Sequence, residues 1–174
     1  PHLAEVEPAA AAIGAVNTVV NKNGTLYGYN TDYYGFLYTL QANNIKVTGE
    51  KVLVLGNGGA AQAILAVLRD LSAKEIVIVK RKSEEGICSY EEAYTLHSDA
   101  TVLINTSPVG MYPKVDETPT PLTAFPHLTA VVDIIYNPEV TKLLAEATDR
   151  GLIAVNGLQM LVSQAFYAVQ HFLD

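Results

Sequence analysis

Short apolar runs alternate with segments of helical periodicity along most of the chain. The continuous apolar runs are typical of strands buried on both faces, and they are KVLVL (51–55), EIVIV (75–79), TVLIN (101–105), AVVDII (130–135) and GLIAV (151–155). Segment 60–71 repeats its apolar residues at helical spacing, and segment 138–150 predicts a helix that begins at Pro138 and ends at Gly151. The alternation predicts parallel strands with right-handed crossovers, and hence a doubly wound parallel α/β sheet over 48–156 with helices on both faces.

The two ends of the chain follow a different pattern. IGAVNTVV (13–20) and TLYGYN (25–30) predict two strands joined by a short loop, whose Asn-Gly pair suits positive φ. A polar-capped helix is predicted over 31–43. GLQMLVSQAFYAVQHFL (157–173) predicts an amphipathic helix with a broad apolar stripe. The stripe consists of Leu158, Leu161, Val162, Ala165, Phe166, Val169, Phe172 and Leu173.

Composition and charge narrow the class of protein. The chain has 174 residues, of which 49% are hydrophobic and 17% charged, proportions typical of a soluble globular domain. Its net charge of −7 argues against nucleic acid as a partner. A single cysteine, Cys88, cannot form an internal disulfide, which favours the cytoplasm. No apolar run approaches the ~20 residues that span a bilayer, so no membrane association is expected. No metal site is predicted.

A glycine-rich segment follows the first central strand. Gly56-Asn57-Gly58-Gly59-Ala60-Ala61 has the spacing G-x-G-x-x-A and opens a helix. The first glycine allows a tight turn, the second lets the backbone approach a pyrophosphate, and Ala61 lets the helix lie close to its strand. The helix N-terminus adds unpaired N–H groups. The alternative is a turn without a ligand. The context favours a dinucleotide site in a Rossmann-type sheet.

The residues after the second central strand indicate which dinucleotide binds. NAD-binding sheets usually carry Asp or Glu there, to hold the ribose hydroxyls. This chain has Lys80, Arg81 and Lys82 instead. Three cations would hold a 2′-phosphate, with Arg81 able to contact it through two donors. A solvated basic turn is the alternative, but the position directly after a dinucleotide-binding strand favours NADP(H).

Polar segments lie at predicted strand ends or helix starts, where ligands of α/β sheets bind: AVNT (15–18), NTD (30–32), NTSPVGM (105–111) and GLQMLVSQ (157–164). Each has an ordinary explanation when taken singly. Asp32 suits a helix N-terminus, Asn17 a turn, Asn105 a loop cap and Gln164 an exposed helix face.

Taken together, the motifs point to a known family. IGAVNTVV, GYNTDYYGF, VLVLGNGGAA, NTSPVGMYP, DIIYNP and GLQMLVSQA occur in this order, and the chain resembles the shikimate dehydrogenase family over essentially its whole length. Glutamyl-tRNA reductase and the methylenetetrahydrofolate dehydrogenases share the dinucleotide fold but lack this combination. The resemblance implies NADPH-dependent reduction of 3-dehydroshikimate to shikimate, on the route to chorismate and the aromatic amino acids. The residues alone indicate only an NADP-binding protein with a polar pocket.

The resemblance also assigns roles to residues. Asn17 and Asp32 would hold the substrate hydroxyls, Asp32 would also partner a catalytic lysine, and Tyr136 and Gln164 would close the substrate site. The cofactor residues implied are Gly56, Asn57, Gly58, Gly59 and Ala60 for the pyrophosphate, Lys80, Arg81 and Lys82 for the 2′-phosphate, and Ile134 and Gly157 for the nicotinamide half. Members of the family commonly have Asn-Arg-Thr where this chain has Lys80-Arg81-Lys82.

Part of the family pattern is missing. The family carries a Ser-x-Ser motif for the substrate carboxylate and a catalytic lysine after a Pro-His pair, and neither is in this sequence. We therefore expect an incomplete, inactive form, with 1–47 a remnant of the substrate-binding domain, 48–156 the NADP-binding domain, and 157–174 a helix packing back toward the first part. The alternatives are a non-catalytic NADP-binding module and a relative that uses quinate as well as shikimate. Homo-oligomerisation is left open.

Overall fold

A computed structural model describes residues 2–173, and its main element is a six-stranded sheet. Its strands are β4 (Lys51–Leu55), β5 (Glu75–Lys80), β6 (Cys88–Ser89), β7 (Val102–Asn105), β8 (Ala130–Asp133) and β9 (Ile153–Val155). They lie in the order β6-β5-β4-β7-β8-β9, and every neighbouring pair is parallel. The predicted doubly wound parallel sheet is confirmed.

Helices cover both faces of this sheet, as predicted. The helices are α1 (Pro8–Ile13), α2 (Thr31–Ala42), α3 (Gly59–Asp70), α4 (Tyr90–Leu96), α5 (Lys142–Asp149) and α6 (Leu158–Leu173). Alternate side chains of each strand point to opposite faces. Val52 and Val54 pack with α2 and α3 in one core, and Leu53 and Leu55 pack with α4 and α5 in the other.

A smaller three-stranded sheet precedes the large one. It contains β1 (Glu5–Val6), β2 (Thr18–Lys22) and β3 (Thr25–Tyr29), in the order β1-β3-β2. β2 and β3 form the predicted antiparallel hairpin, and the φ angles of Asn23 (53°) and Gly24 (87°) are both positive, as a tight hairpin turn requires.

Several predicted boundaries are wrong. The first hairpin strand begins at Thr18 rather than residue 13, because residues 8–13 form α1, which ends at Gly14 with a φ of 73°. The helix predicted from Pro138 begins at Lys142, where the Thr141 hydroxyl caps it by accepting from Leu144 N at 3.3 Å.

Two further predicted strands are too long, and one helix was missed. β8 ends before residues 134–135, and β9 begins only at Ile153, after Gly151. The sequence did contain a signal for the missed helix α4, since Ser89 and Glu92 form a capping box at its start.

The apolar stripe predicted on α6 is present but not buried. Its large members are exposed, with Phe166 at 61% and Leu173 at 82%. α6 instead packs against α2 through its opposite face, where Met160 and Ser163 are buried. Gly35 allows this close approach, since a Cβ there would lie 2.8 Å from the Met160 carbonyl oxygen. Within residues 2–173, no helix is both long and apolar enough to cross a membrane.

Candidate functional site

The glycine-rich segment forms the turn from β4 into α3. Gly56 has a φ of 104° and its N–H donates to the Val79 carbonyl at 2.9 Å. A Cβ at Gly56 would lie 2.8 Å from Thr106 Oγ1, which itself donates to the Leu55 carbonyl at 2.8 Å. The conformation and the close contact both require glycine at this position.

The next two glycines face open space. No protein atom lies within 4 Å of a Cβ built on Gly58 or Gly59. Gly58 precedes the first turn of α3 and supplies no side-chain cap to the N–H groups there, while Ala61 is fully buried against the sheet. The turn therefore presents unpaired backbone donors to an open site, an arrangement that fits a bound pyrophosphate.

Asn57 and Ala60 complete the predicted pyrophosphate segment. The Asn57 side-chain oxygen accepts from Gln62 Nε2 at 2.7 Å, so this exposed amide is held against the first turn of α3. Ala60 is half-buried within that turn.

The three predicted cations lie at the end of β5. Lys80 Nζ forms an ion pair with Glu84 Oε1 at 3.0 Å, which the sequence-based interpretation did not include. Arg81 and Lys82 are exposed, and neither forms an ion pair with another of residues 2–173. Two of the three cations are therefore available to an anionic ligand.

Asn17 and Gln164 meet through Thr31, the first residue of α2. The Asn17 side-chain oxygen accepts from Thr31 N–H at 2.9 Å. The Thr31 hydroxyl lies 3.2 Å from Gln164 Oε1 and 3.3 Å from Asn17 Oδ1. Thr31 is fully buried, and it bonds to a residue 133 positions away. The sequence-based interpretation missed Thr31, although it lies within the quoted NTD motif.

Backbone groups determine how the two amides are oriented. Thr31 N–H can only donate, so it must face the oxygen of Asn17 and leave the Asn17 NH₂ group pointing elsewhere. Gln164 Nε2 donates to the Leu161 carbonyl at 3.0 Å, so its oxygen faces the Thr31 hydroxyl. The Asn17 NH₂ group is thus not used by Thr31 and can donate to another acceptor.

Asp32 lies next to this cluster, in the first turn of α2. Burial raises the pKa of its carboxyl group, and a side-chain hydrogen bond with Asn17 opposes that shift more weakly. The structure thus brings Asn17, Asp32 and Gln164 together. No lysine among residues 2–173 forms an ion pair with Asp32.

Tyr136 belongs to a different part of the site. Its side chain is 53% exposed and lines a cavity of about 340 Å³ between two loops, residues 106–112 and residues 134–137. It makes no hydrogen bond to the amide cluster within the described part of the chain. Ile134 lines the same cavity, and Gly157 packs directly on it, because a Cβ at Gly157 would overlap the Ile134 carbonyl group.

A buried polar pair lies at the base of these loops. Asn105 and Asp133, the last residues of β7 and β8, are fully buried, and Asn105 Nδ2 donates to Asp133 Oδ1 at 3.0 Å. Burial raises the pKa of Asp133, while hydrogen bonds from Thr141, Ile135 N–H and Asn105 act in the opposite direction. Among residues 2–173, no group of three or more His, Cys, Asp or Glu side chains is placed to hold a metal ion.

Several known proteins resemble this chain in sequence and in fold. No family model matches the chain. Shikimate dehydrogenase (NADP(+)) of Bacillus cereus (strain B4264) is 41% identical over 184 residues, covering 97% of this chain and 66% of the relative. A chorismate mutase/shikimate 5-dehydrogenase fusion protein from Clostridium acetobutylicum has a TM-score of 0.90 and 40% identity, covering 96% of this chain and 64% of its own.

A second solved structure extends the match. Shikimate 5-dehydrogenase from Listeria monocytogenes, in complex with shikimate and NAD, has a TM-score of 0.84 and 31% identity, covering 98% of this chain and 67% of its own. The chain spans about two thirds of the length of the relatives it matches. Because sequence and fold agree over nearly all of this chain, it belongs to the shikimate dehydrogenase family.

Proposed function

We propose that the chain binds NADP(H) and serves the interconversion of 3-dehydroshikimate and shikimate in the whole protein. The observation that carries the proposal is the hydrogen-bonded cluster of Asn17, Thr31 and Gln164, which joins segments 133 residues apart beside a carboxylate. The B. cereus relative is named for this reaction with NADP(+).

The cofactor would be held by three groups of residues. The backbone of Gly58 and Gly59 faces open space that would accept the pyrophosphate, and Gly56 makes the tight turn that precedes them. Arg81 and Lys82 would contact the 2′-phosphate. Lys80 would contribute only if it left Glu84. The cavity beside Ile134 and Tyr136 would accept the nicotinamide half.

The amide cluster would orient the ring of the substrate. The Asn17 NH₂ group can donate to a substrate hydroxyl, and the Asp32 carboxylate can accept from one. Tyr136, on the cavity side, would close the site over the ring. A substrate without those hydroxyls would leave buried polar groups unpaired, which is a strong basis for discrimination.

Asp32 is the residue that we assign to holding the group that transfers the proton. The cofactor, when bound, supplies or accepts the hydride. A carboxylate in this position would hold a cationic acid next to the reacting oxygen. Because no lysine among residues 2–173 pairs with Asp32, we expect this polypeptide by itself to turn over shikimate roughly 10²- to 10⁴-fold more slowly than an enzyme with such an acid.

The experiment is a titration of NADP⁺ and NAD⁺ against wild type, Arg81→Ala and Lys74→Ala. Lys74 is the matched control, since it is an exposed cation at the other end of β5. A hydrogen bond to a charged group is worth ~1.5–3 kcal/mol, so Arg81→Ala should bind NADP⁺ very roughly 10- to 150-fold more weakly. NAD⁺ binding and the Lys74→Ala variant should be unaffected. Equal losses of affinity for NADP⁺ and NAD⁺ in Arg81→Ala would show that Arg81 does not contact the 2′-phosphate.

The L. monocytogenes neighbour, which holds NAD, makes the comparison of the two dinucleotides necessary. A non-catalytic NADP-binding module is the second candidate. Shikimate titrated into the chain saturated with NADP⁺ separates the two. Binding that is lost in Asn17→Leu supports the enzyme, and binding that survives in Asn17→Leu would show that Asn17 does not hold the substrate.

A further inference from the structure

Two buried polar residues lie beneath the cavity beside Tyr136. Its walls are the loop after β7, residues 106–112, and the loop after β8, residues 134–137. Asn105 and Asp133 precede these loops and are each 0% exposed, so neither side chain reaches the cavity.

Asn105 holds the first loop. Its side-chain oxygen accepts from Ser107 N–H at 3.0 Å and from the Ser107 hydroxyl at 2.7 Å. Because the Ser107 N–H can only donate, it determines which end of the Asn105 amide faces the loop. The NH₂ group must then point toward Asp133.

Asp133 holds the second loop. One carboxylate oxygen accepts from Asn105 and from Ile135 N–H at 3.2 Å, and the other accepts from the Thr141 hydroxyl at 2.8 Å. The carboxylate therefore joins the first loop, the second loop and the start of α5. A buried charge is a costly way to stabilise a core, since well-packed apolar groups often serve equally well. What this pair supplies in addition is a defined distance between the two loops.

We propose that Asn105 and Asp133 form a positioning pair that sets the separation of the cavity walls and thereby the affinity for the nicotinamide half of the dinucleotide. The proposal rests on the proposed function, because it assumes that NADP(H) occupies this cleft. The two residues act through the loops and do not touch the ligand.

The test compares two ligands on the same variants. NADPH carries the nicotinamide, whereas 2′,5′-ADP carries only the adenosine half with its 2′-phosphate. Asn105→Leu removes the link between the loops. Because the nicotinamide would then meet a cleft of altered width, we expect the variant's dissociation constant for NADPH to rise about tenfold, with that for 2′,5′-ADP unchanged.

Thr141→Val is the matched control. It removes a different donor from the same buried carboxylate, on the α5 side, and should lower the thermal midpoint without changing the ratio of the two affinities. If circular dichroism shows that Asn105→Leu does not fold, Asn105→Ser replaces it, because a serine hydroxyl is too short to join Ser107 and Asp133. It should show the same selective loss.

Three results would overturn the inference while leaving the proposed function intact. They are equal weakening of both ligands in the Asn105 variants, the same selective loss in Thr141→Val, and a wild-type chain that binds NADPH no more tightly than 2′,5′-ADP. A wild-type chain that binds neither ligand would instead contradict the proposed function itself.

Discussion

The glycine loop and the amide cluster are built in opposite ways. The loop consists of neighbouring residues whose geometry depends on the local backbone, such as the φ of 104° at Gly56. The cluster joins the start of β2, the start of α2 and the middle of α6, and its longest hydrogen bond in sequence spans 133 residues. A local site can be recognised and altered by itself, whereas a long-range site depends on how the helices pack.

That packing depends on two close approaches. Gly35 lets α6 lie against α2, and Gly157 lets the start of α6 lie on Ile134. Gly157 therefore connects the amide cluster with the cavity proposed for the nicotinamide half of the dinucleotide, because Ile134 lines that cavity and α6 carries Gln164. Substitutions at these two glycines should therefore show whether the amide cluster can be disturbed without a loss of NADP⁺ affinity.

The largest effect is expected for Gly157→Ala. The added Cβ would overlap the Ile134 carbonyl, so the helix or the loop must move, and we expect a loss of roughly 3 kcal/mol in the free energy of unfolding. NADP⁺ binding should weaken as well. Urea denaturation and NADP⁺ titration measure the two effects. Gly59→Ala is the control, since its Cβ meets no protein atom within 4 Å, and it should be at least as stable as wild type.

A smaller effect confined to one region is expected for Gly35→Ala. Its Cβ would lie 2.8 Å from the Met160 carbonyl oxygen, pushing α6 and Gln164 away from Thr31. The better helix propensity of alanine offsets part of the strain, so we expect a net loss of about 1–2 kcal/mol in unfolding free energy. Cofactor affinity should be retained. A fall in NADP⁺ affinity as well would mean that the cofactor site depends on the packing of α6 against α2.

Gly58→Ala should have the opposite effect, with stability retained and cofactor affinity reduced. This glycine has a φ of −85° and open space where the Cβ would be, so unfolding free energy should change by less than about 0.5 kcal/mol. If the pyrophosphate binds at this turn as proposed, a methyl group there should weaken NADP⁺ binding about tenfold, which is ~1.4 kcal/mol. Unchanged affinity would place the pyrophosphate elsewhere.

The smallest effect concerns Asp32 and depends on pH. Burial raises the pKa of this carboxyl, so the folded chain binds the proton more tightly than the unfolded chain does. The ionised form therefore destabilises the fold at neutral pH, and this penalty disappears as the pH falls through the raised pKa toward the usual value of 3.8.

Asp32→Asn should accordingly be more stable than wild type at pH 7, with an advantage that shrinks on acidification. Urea midpoints between pH 4 and pH 7 measure this. Asp116→Asn, at a carboxylate whose side chain is 91% exposed, should change unfolding free energy by less than about 0.5 kcal/mol throughout. An advantage independent of pH would mean that Asp32 is not desolvated in the folded chain.

The sequence pattern predicted most of the large sheet, and its errors have physical causes. Buried parallel strands are continuously apolar, so β4 and β5 were recognised almost to the residue. Predicted boundaries were wrong where a helix cap sets the start of a helix, as at Thr141, which caps α5 so that the helix begins at Lys142, four residues after Pro138. The apolar stripe on α6 was predicted correctly, but it lies on the exposed face of the helix. Periodicity shows which residues share a helix face, but it does not show which face meets the rest of the chain.

Several features of this protein were determined by the sequence alone. They are the parallel doubly wound sheet, the glycine turn, the cations after the second strand of that sheet and the resemblance to a family, because each depends on residues close together in the chain. Tertiary structure alone decided that Thr31 links Asn17 to Gln164, that Lys80 pairs with Glu84, and that Asn105 and Asp133 lie beneath one cavity. Contacts between distant segments depend on how closely two backbones approach, and a one-dimensional pattern of apolar and polar residues does not contain that distance.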